Sequence, residues 1–243
     1  EGYSPDGLFV NRNAAAFVSE TEIEGGRVLA VAFRGTDDWR DWLDNVFGID
    51  AHFRHLEPLI EAIERYARAR GVDRVVATGQ SLGGAMAEAY MASRNPPAFE
   101  APKLSGVTFG TPGIFKRPEE RDARVLSFRH ERDAVPWLGR KRRYRTHGSE
   151  VSIRYADDRY RWRRFAAHEA AAYVRTIARL HRSGALAGVI ERALERPSRL
   201  DVTMDVDPEA GVAVVTRDDP KSGFVPLRNR TADSRSSAPG ESG

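Results

Sequence analysis

The stretch from Val75 to Arg94 constrains the fold of this chain more than any other. A short apolar run, Val75-Val76-Ala77-Thr78, enters the turn Gly79-Gln80-Ser81-Leu82-Gly83 and leaves it as a helical pattern, Leu82 to Arg94, that stops before Asn95-Pro96-Pro97. A strand handed directly to a helix is a unit of layered α/β architecture. Its neighbours repeat the alternation. Leu8 to Val18 and Val28 to Phe33 read as two strands joined across the turn signal Glu24-Gly25-Gly26. From His55 to Arg70, Leu56, Leu59, Ile60, Ile63, Tyr66 and Ala67 follow helical spacing, and Gly71 stands where a helix ends. Val107-Thr108-Phe109 and Val125-Leu126-Ser127-Phe128 are two more short strands on either side of a Gly/Pro-rich loop. The order predicts an α/β fold around a central, mostly parallel sheet.

Helices are predicted from about Ala166 to Arg182 and from Ala185 to Arg196, the second stopped by Pro197. The period then changes from helical to alternating. Leu200, Val202, Met204 and Val206 are answered by Val212 to Val215 across Asp207-Pro208-Glu209-Ala210-Gly211, a β-hairpin pattern. Asp205, Asp207, Glu209 and Gly211 do not have the spacing of a calcium loop and read as the turn. From Leu227 onward almost nothing is available to bury, and a disordered tail is expected. The expected organisation is a main domain over 1–184, a helix and hairpin extension over 185–225, and a tail over 226–243.

Composition narrows the chemistry. In 243 residues, 41% hydrophobic and 30% charged, there is enough apolar surface for a continuous core. No apolar run approaches the ~18 residues needed to cross a bilayer as a helix. The absence of cysteine excludes disulfides, thiolate nucleophiles and thiolate-held zinc or iron–sulfur centres. Opening on Glu1 with no charged-then-apolar leader is the pattern of a processed product, compatible with a secreted or a cytoplasmic address. Charge is uneven: Arg140 to Arg164 holds ten Lys or Arg residues against three acidic ones, in a chain whose whole net charge is +3. A solvated basic face is the preferred reading, ahead of nucleic-acid binding.

The turn matches Gly-x-Ser-x-Gly, the nucleophile elbow of α/β-hydrolases, in which a serine on a sharp strand-to-helix turn needs small neighbours two residues away on each side. The bare pattern is weak evidence, and its flanking strand and helix give it weight. A serine hydroxyl needs a base, and the base an orienting carboxylate. In that fold the order along the chain is serine, acid, histidine. His130 leaves little room for a preceding acid, His147 lies in the basic stretch, and His168 opens an apolar helix and is the favoured base over His181. For the acid, Asp133 follows the 125–128 strand in a loop closed by Val135-Pro136, with Glu131, Asp157 and Asp158 as competitors.

Four segments together resemble the class 3 lipases, the group of fungal triacylglycerol lipases and feruloyl esterases. They are Val31-Ala32-Phe33-Arg34-Gly35-Thr36 with Trp42-Leu43 after it; Gly79-Gln80-Ser81-Leu82-Gly83-Gly84; Thr108-Phe109-Gly110-Thr111-Pro112; and Asp133-Ala134-Val135-Pro136 with His168 and Tyr173 beyond. The resemblance covers roughly residues 10–180. It implies Ser81 as nucleophile, Asp133 and His168 as its partners, and an oxyanion hole from Thr36, through its N–H and hydroxyl, and the N–H of Leu82. Two positions depart from the family: Gln80 stands where a histidine is usual, and the usual His-x-Gly-Phe is present only as Ala51-His52-Phe53-Arg54. Trp39, Trp42, Leu43, Val46 and Phe47 form either a short lid or a patch packed on the sheet edge.

The resulting expectation is a serine hydrolase of lipid carboxylic esters, triacylglycerol or phospholipid, that needs no metal or organic cofactor. A small-ester or aryl esterase is the alternative within the same chemistry. A lipid- or polyanion-binding module without turnover is the alternative of another class, sustained by the 140–164 basic segment, which would also suit an anionic membrane or lipid surface.

Overall fold

The computed structural model describes residues 7–12, 14–35, 53–94, 103–114, 122–141, 143–155, 166–195, 199–207, 211–218 and 225–226. Its strands are β1 (Leu8–Asn11), β2 (Ala14–Ile23), β3 (Gly26–Phe33), β4 (Arg74–Gln80), β5 (Lys103–Phe109), β6 (Val125–His130), β7 (Ser149–Tyr155), β8 (Arg199–Asp207), β9 (Gly211–Asp218) and β10 (Val225–Pro226). They form one ten-stranded sheet in sequence order. β3 to β8 run parallel, and antiparallel pairs extend both edges.

Parallel neighbours need crossovers, and the described helices lie in them: α1 (Glu57–Arg70), α2 (Leu82–Ser93), α3 (Ala134–Lys141), then a 3₁₀ turn (Ala166–His168), α4 (Ala170–Arg182) and α5 (Leu186–Glu195). α1 buries Leu59, Ile60, Ile63 and Ala67 and ends at Gly71, whose φ of 65° lets its N–H return to the helix. α2 buries nine of its twelve residues and has no polar face, the composition of a helix enclosed on all sides.

Two cores result. Leu29, Val31, Phe33, Val75 and Ala77 pack with α1 and α2, while Phe128, Val151, Ile153, Val202 and Met204 pack with α4 and α5. Val125 belongs to the first and Leu126 to the second, as successive residues on opposite faces of a strand must.

Three details differ from the sequence reading. Leu8 to Val18 is not one strand: the chain turns at Arg12, which adopts a φ of 56° between two asparagine positions, and β1 folds back on β2. The stretch after Asp133 is α3 rather than a loop, because a proline near a helix start sacrifices an N–H that has no partner there anyway. The basic segment is not solely a solvated face, since β7 runs through it with Val151 and Ile153 in the core. The expected 200–215 hairpin forms, with Met204 opposite Val214 and Val206 opposite Val212, and its first strand pairs parallel with β7. Most of the expected tail lies outside the described residues.

Candidate active site

The elbow at the end of β4 begins with Ser81, which adopts φ 59° and ψ −125°, a conformation that costs a non-glycine residue about 1–3 kcal/mol. Its N–H still bonds the Phe109 carbonyl of β5 at 2.9 Å, while its own carbonyl accepts from Ala85 at 3.2 Å, so one residue closes the strand and opens α2. The glycines permit this. A Cβ on Gly79 would lie 2.3 Å from the Gly83 carbonyl carbon, and one on Gly83 would lie 2.1 Å from the Phe33 oxygen. β3, β4 and α2 therefore meet backbone to backbone at this turn.

Asp133 follows β6 and is 1% exposed. Its Oδ2 accepts from His168 Nδ1 at 2.8 Å and from the Tyr173 hydroxyl at 2.6 Å, and its Oδ1 accepts from the Val135 N–H at 2.9 Å. A buried carboxylate bonded three times is satisfied without water. Tyr173, on α4, is fully enclosed; burial, then the Asp133 charge, raises its hydroxyl well above the usual phenol range and keeps it a donor. The same oxygen accepts the His130 N–H at 3.1 Å.

His168 ends the 3₁₀ turn and is buried. Since Nδ1–H donates to Asp133, Nε2 carries the lone pair, the tautomer a general base requires. The Gln80 side-chain nitrogen lies 3.2 Å from that Nε2 and 2.6 Å from the His168 carbonyl oxygen. Ser81 Oγ is buried and has no hydrogen-bond partner among the described residues.

The turn carrying His168 is itself held by His130. That ring stacks on Tyr173 with centroids 4.2 Å apart, donates through Nδ1 to the Ala167 carbonyl at 2.7 Å, and meets Thr176 Oγ1 through Nε2 at 2.9 Å. Burial pushes its pKa below the ordinary imidazole value, opposed by the Ala167 bond and the Asp133 charge. Sequence reasoning set His130 aside as a base and missed this role, and Thr176 gave no signal at all.

The structure thus brings Asp133 and His168 into contact and sets Ser81 on the elbow, with Gln80 bonded to His168. Leu82 is the first residue of α2, where a helix N–H has no acceptor within its own helix. Thr36 and the residues read as a lid or a sheet-edge patch, Trp39, Trp42, Leu43, Val46 and Phe47, lie outside the described residues. Gly35, one residue before Thr36, comes beside the elbow: a Cβ there would be 3.6 Å from Ser81 Cβ. Glu131, a competitor for the acid role, instead takes a bidentate bond from Arg154 at 2.6 and 2.7 Å. Asp157 and Asp158 lie outside the described residues. On the sheet face beside α4, an apolar cleft of about 600 Å³ is bordered by Phe33, Gln80, Phe109, Tyr173 and Ile177.

A six-stranded parallel run with a serine elbow after β4, an acid after β6 and a histidine after β7 defines the α/β-hydrolase fold. No model of a known protein family matches the chain. It is similar to the extracellular phospholipase A1 of Serratia liquefaciens, 33% identical over 101 residues that make up 41% of this chain and 32% of that protein. Among solved structures it is similar to the Rhizomucor miehei lipase in its propeptide complex, at 19% identity and a TM-score of 0.46, covering 60% of this chain and 54% of that one. A fungal lipase matches at 18% identity and a TM-score of 0.49, covering 60% and 62%. The chain therefore spans about a third of the phospholipase and somewhat over half of these lipases.

Proposed function

We propose that this protein is a serine hydrolase of lipid carboxylic esters, with Ser81, His168 and Asp133 as its catalytic residues. The observation that carries the reading is the buried His168–Asp133 bond of 2.8 Å beside a serine elbow. The similarity to a phospholipase A1 supports the substrate class. Ser81 Oγ attacks the ester carbonyl and gives its proton to His168 Nε2, and Asp133 stabilises the imidazolium. The oxyanion is held by the N–H groups of Leu82 and Thr36, the first at the positive end of α2. His168 returns the proton to the departing alcohol, leaving an acyl group on Ser81. Water, deprotonated by His168, then releases the acid.

The acyl ester is that of a triacylglycerol or a phospholipid, met at a lipid surface that the 140–164 segment attracts when it is anionic. Turnover of triglyceride emulsions, phospholipid vesicles and nitrophenyl esters tests this. Release of fatty acid from one of the lipids, lost in Ser81→Ala, is expected. Turnover confined to the nitrophenyl esters would replace lipid with small ester as the substrate.

A further inference from the structure

Gln80 occupies the nitrogen that Ser81 would need. Its side-chain nitrogen lies 2.6 Å from the His168 carbonyl oxygen and 3.2 Å from His168 Nε2. A carbonyl oxygen only accepts, so the atom facing it is the NH₂ end of the carboxamide, whose two hydrogens then have two acceptors. Nδ1–H is committed to Asp133, which makes Nε2 an acceptor. Ser81 Oγ meanwhile has no hydrogen-bond partner among the described residues.

We propose that Gln80 is a positioning residue that parks His168, tying down its backbone carbonyl and engaging its Nε2 lone pair, so that each turnover includes release of the ring from Gln80 to Ser81. The proposal rests on Ser81 and His168 being nucleophile and base. The two bonds behave differently along the reaction. The carbonyl bond is indifferent to the state of the ring. The Nε2 bond exists only while the imidazole is neutral, because once the Ser81 proton arrives that nitrogen becomes a donor. An interaction made in the ground state and lost in the transition state raises the barrier. A neutral hydrogen bond of ordinary net strength corresponds to a factor of roughly 2–10 in rate. Gln80 also borders the apolar cleft of about 600 Å³.

The test is the second-order rate of phosphonate capture by Ser81 in wild type and Gln80→Leu, alongside kcat and KM for a soluble nitrophenyl ester. Leucine keeps the bulk of the side chain and removes both donors. Capture and kcat should rise roughly 2–10-fold with KM little changed, while the melting temperature falls because the carbonyl tether is gone. A purely structural Gln80 would lower both rates. A folded Gln80→Leu protein whose capture rate is unchanged or lower overturns the proposal. If that variant does not fold, ¹⁵N spectra of the wild type decide: coupling between the Gln80 carboxamide and His168 Nε2 that vanishes on phosphonate capture supports parking, and its absence in the resting protein overturns it. Wild type that never reacts with the phosphonate contradicts the hydrolase reading itself, an outcome distinct from either.

Discussion

Two turns along α2 from Ser81, Glu88 is completely buried. It accepts from Thr146 Oγ1 at 2.7 Å, Thr108 Oγ1 at 3.3 Å and the His147 N–H at 3.2 Å, joining α2 to β5 and to the segment leading into β7. Burial raises its pKa from 4.5 to about 7, with those three hydrogen bonds pulling it down and Glu150 adding to the rise. Between these values the folded protein keeps a proton that the unfolded chain has released. The stabilisation is fully present below about pH 4.5 and is lost as pH rises through about 7. Urea titrations should therefore show stability falling by about 3 kcal/mol across that window, and Glu88→Gln should flatten the fall and be the more stable protein above it. A second expectation concerns Tyr173. Tyr173→Phe removes a donor from the buried Asp133 carboxylate and an acceptor from His130, which should lower kcat roughly tenfold with little change in KM and cost about 1–3 kcal/mol of stability. The elbow at Ser81 was legible from its motif and flanks, and the meeting of Asp133 with His168 from the family resemblance, since chain order alone left Glu131, Asp157 and Asp158 open. The support beneath them was not, since His130 reaches the Ala167 carbonyl across 37 residues of chain and no local pattern encodes that meeting.

Among the elements, the regular ones were the readable ones. α1 carries an unbroken apolar stripe and a glycine stop, and the 200–215 hairpin alternates cleanly, so both take the structure their periods predict. α3 was hidden by Pro136, which reads as a loop residue unless its place in the first turn is known. β7 was hidden by its charges: Glu150 pairs with the buried Arg129 at 2.7 Å, and Arg154 pairs with Glu131. These pairings also revise the basic segment, whose cations are not all free for a partner. Arg143 and Arg145 are exposed after α3, and Lys141 stacks its ammonium 4.1 Å over the half-exposed Trp137. Each cation near an anionic lipid surface contributes about 1 kcal/mol. Activity on anionic vesicles should thus fall as salt rises from about 0.05 to about 0.5 M, where screening shortens the field to a few ångström. Activity on a soluble neutral ester should stay nearly flat. The double reversal Arg143→Glu with Arg145→Glu should give the high-salt behaviour at low salt, and parallel salt curves for the two substrates would reject the lipid-surface role.

Across the whole molecule, the parallel run from β3 to β8 puts the C-terminal ends of its strands at one end of the sheet, where Asp133 after β6 and Gln80 at the close of β4 both bond His168, although 87 positions separate Ser81 from His168. The alternation of strands and helices predicted that architecture. Strand order is decided by pairings between distant segments and had to come from the structure. If these strand ends form a working acyl-transfer site, mass spectrometry after exposure to a serine-directed alkyl phosphonate will show it. One phosphonyl group per chain is expected, on the peptide bearing Ser81, absent in Ser81→Ala and slowed about as severely by His168→Ala. Folded wild-type protein that stays unlabelled, or that carries the label at another serine, would contradict an acyl-transfer role for this site.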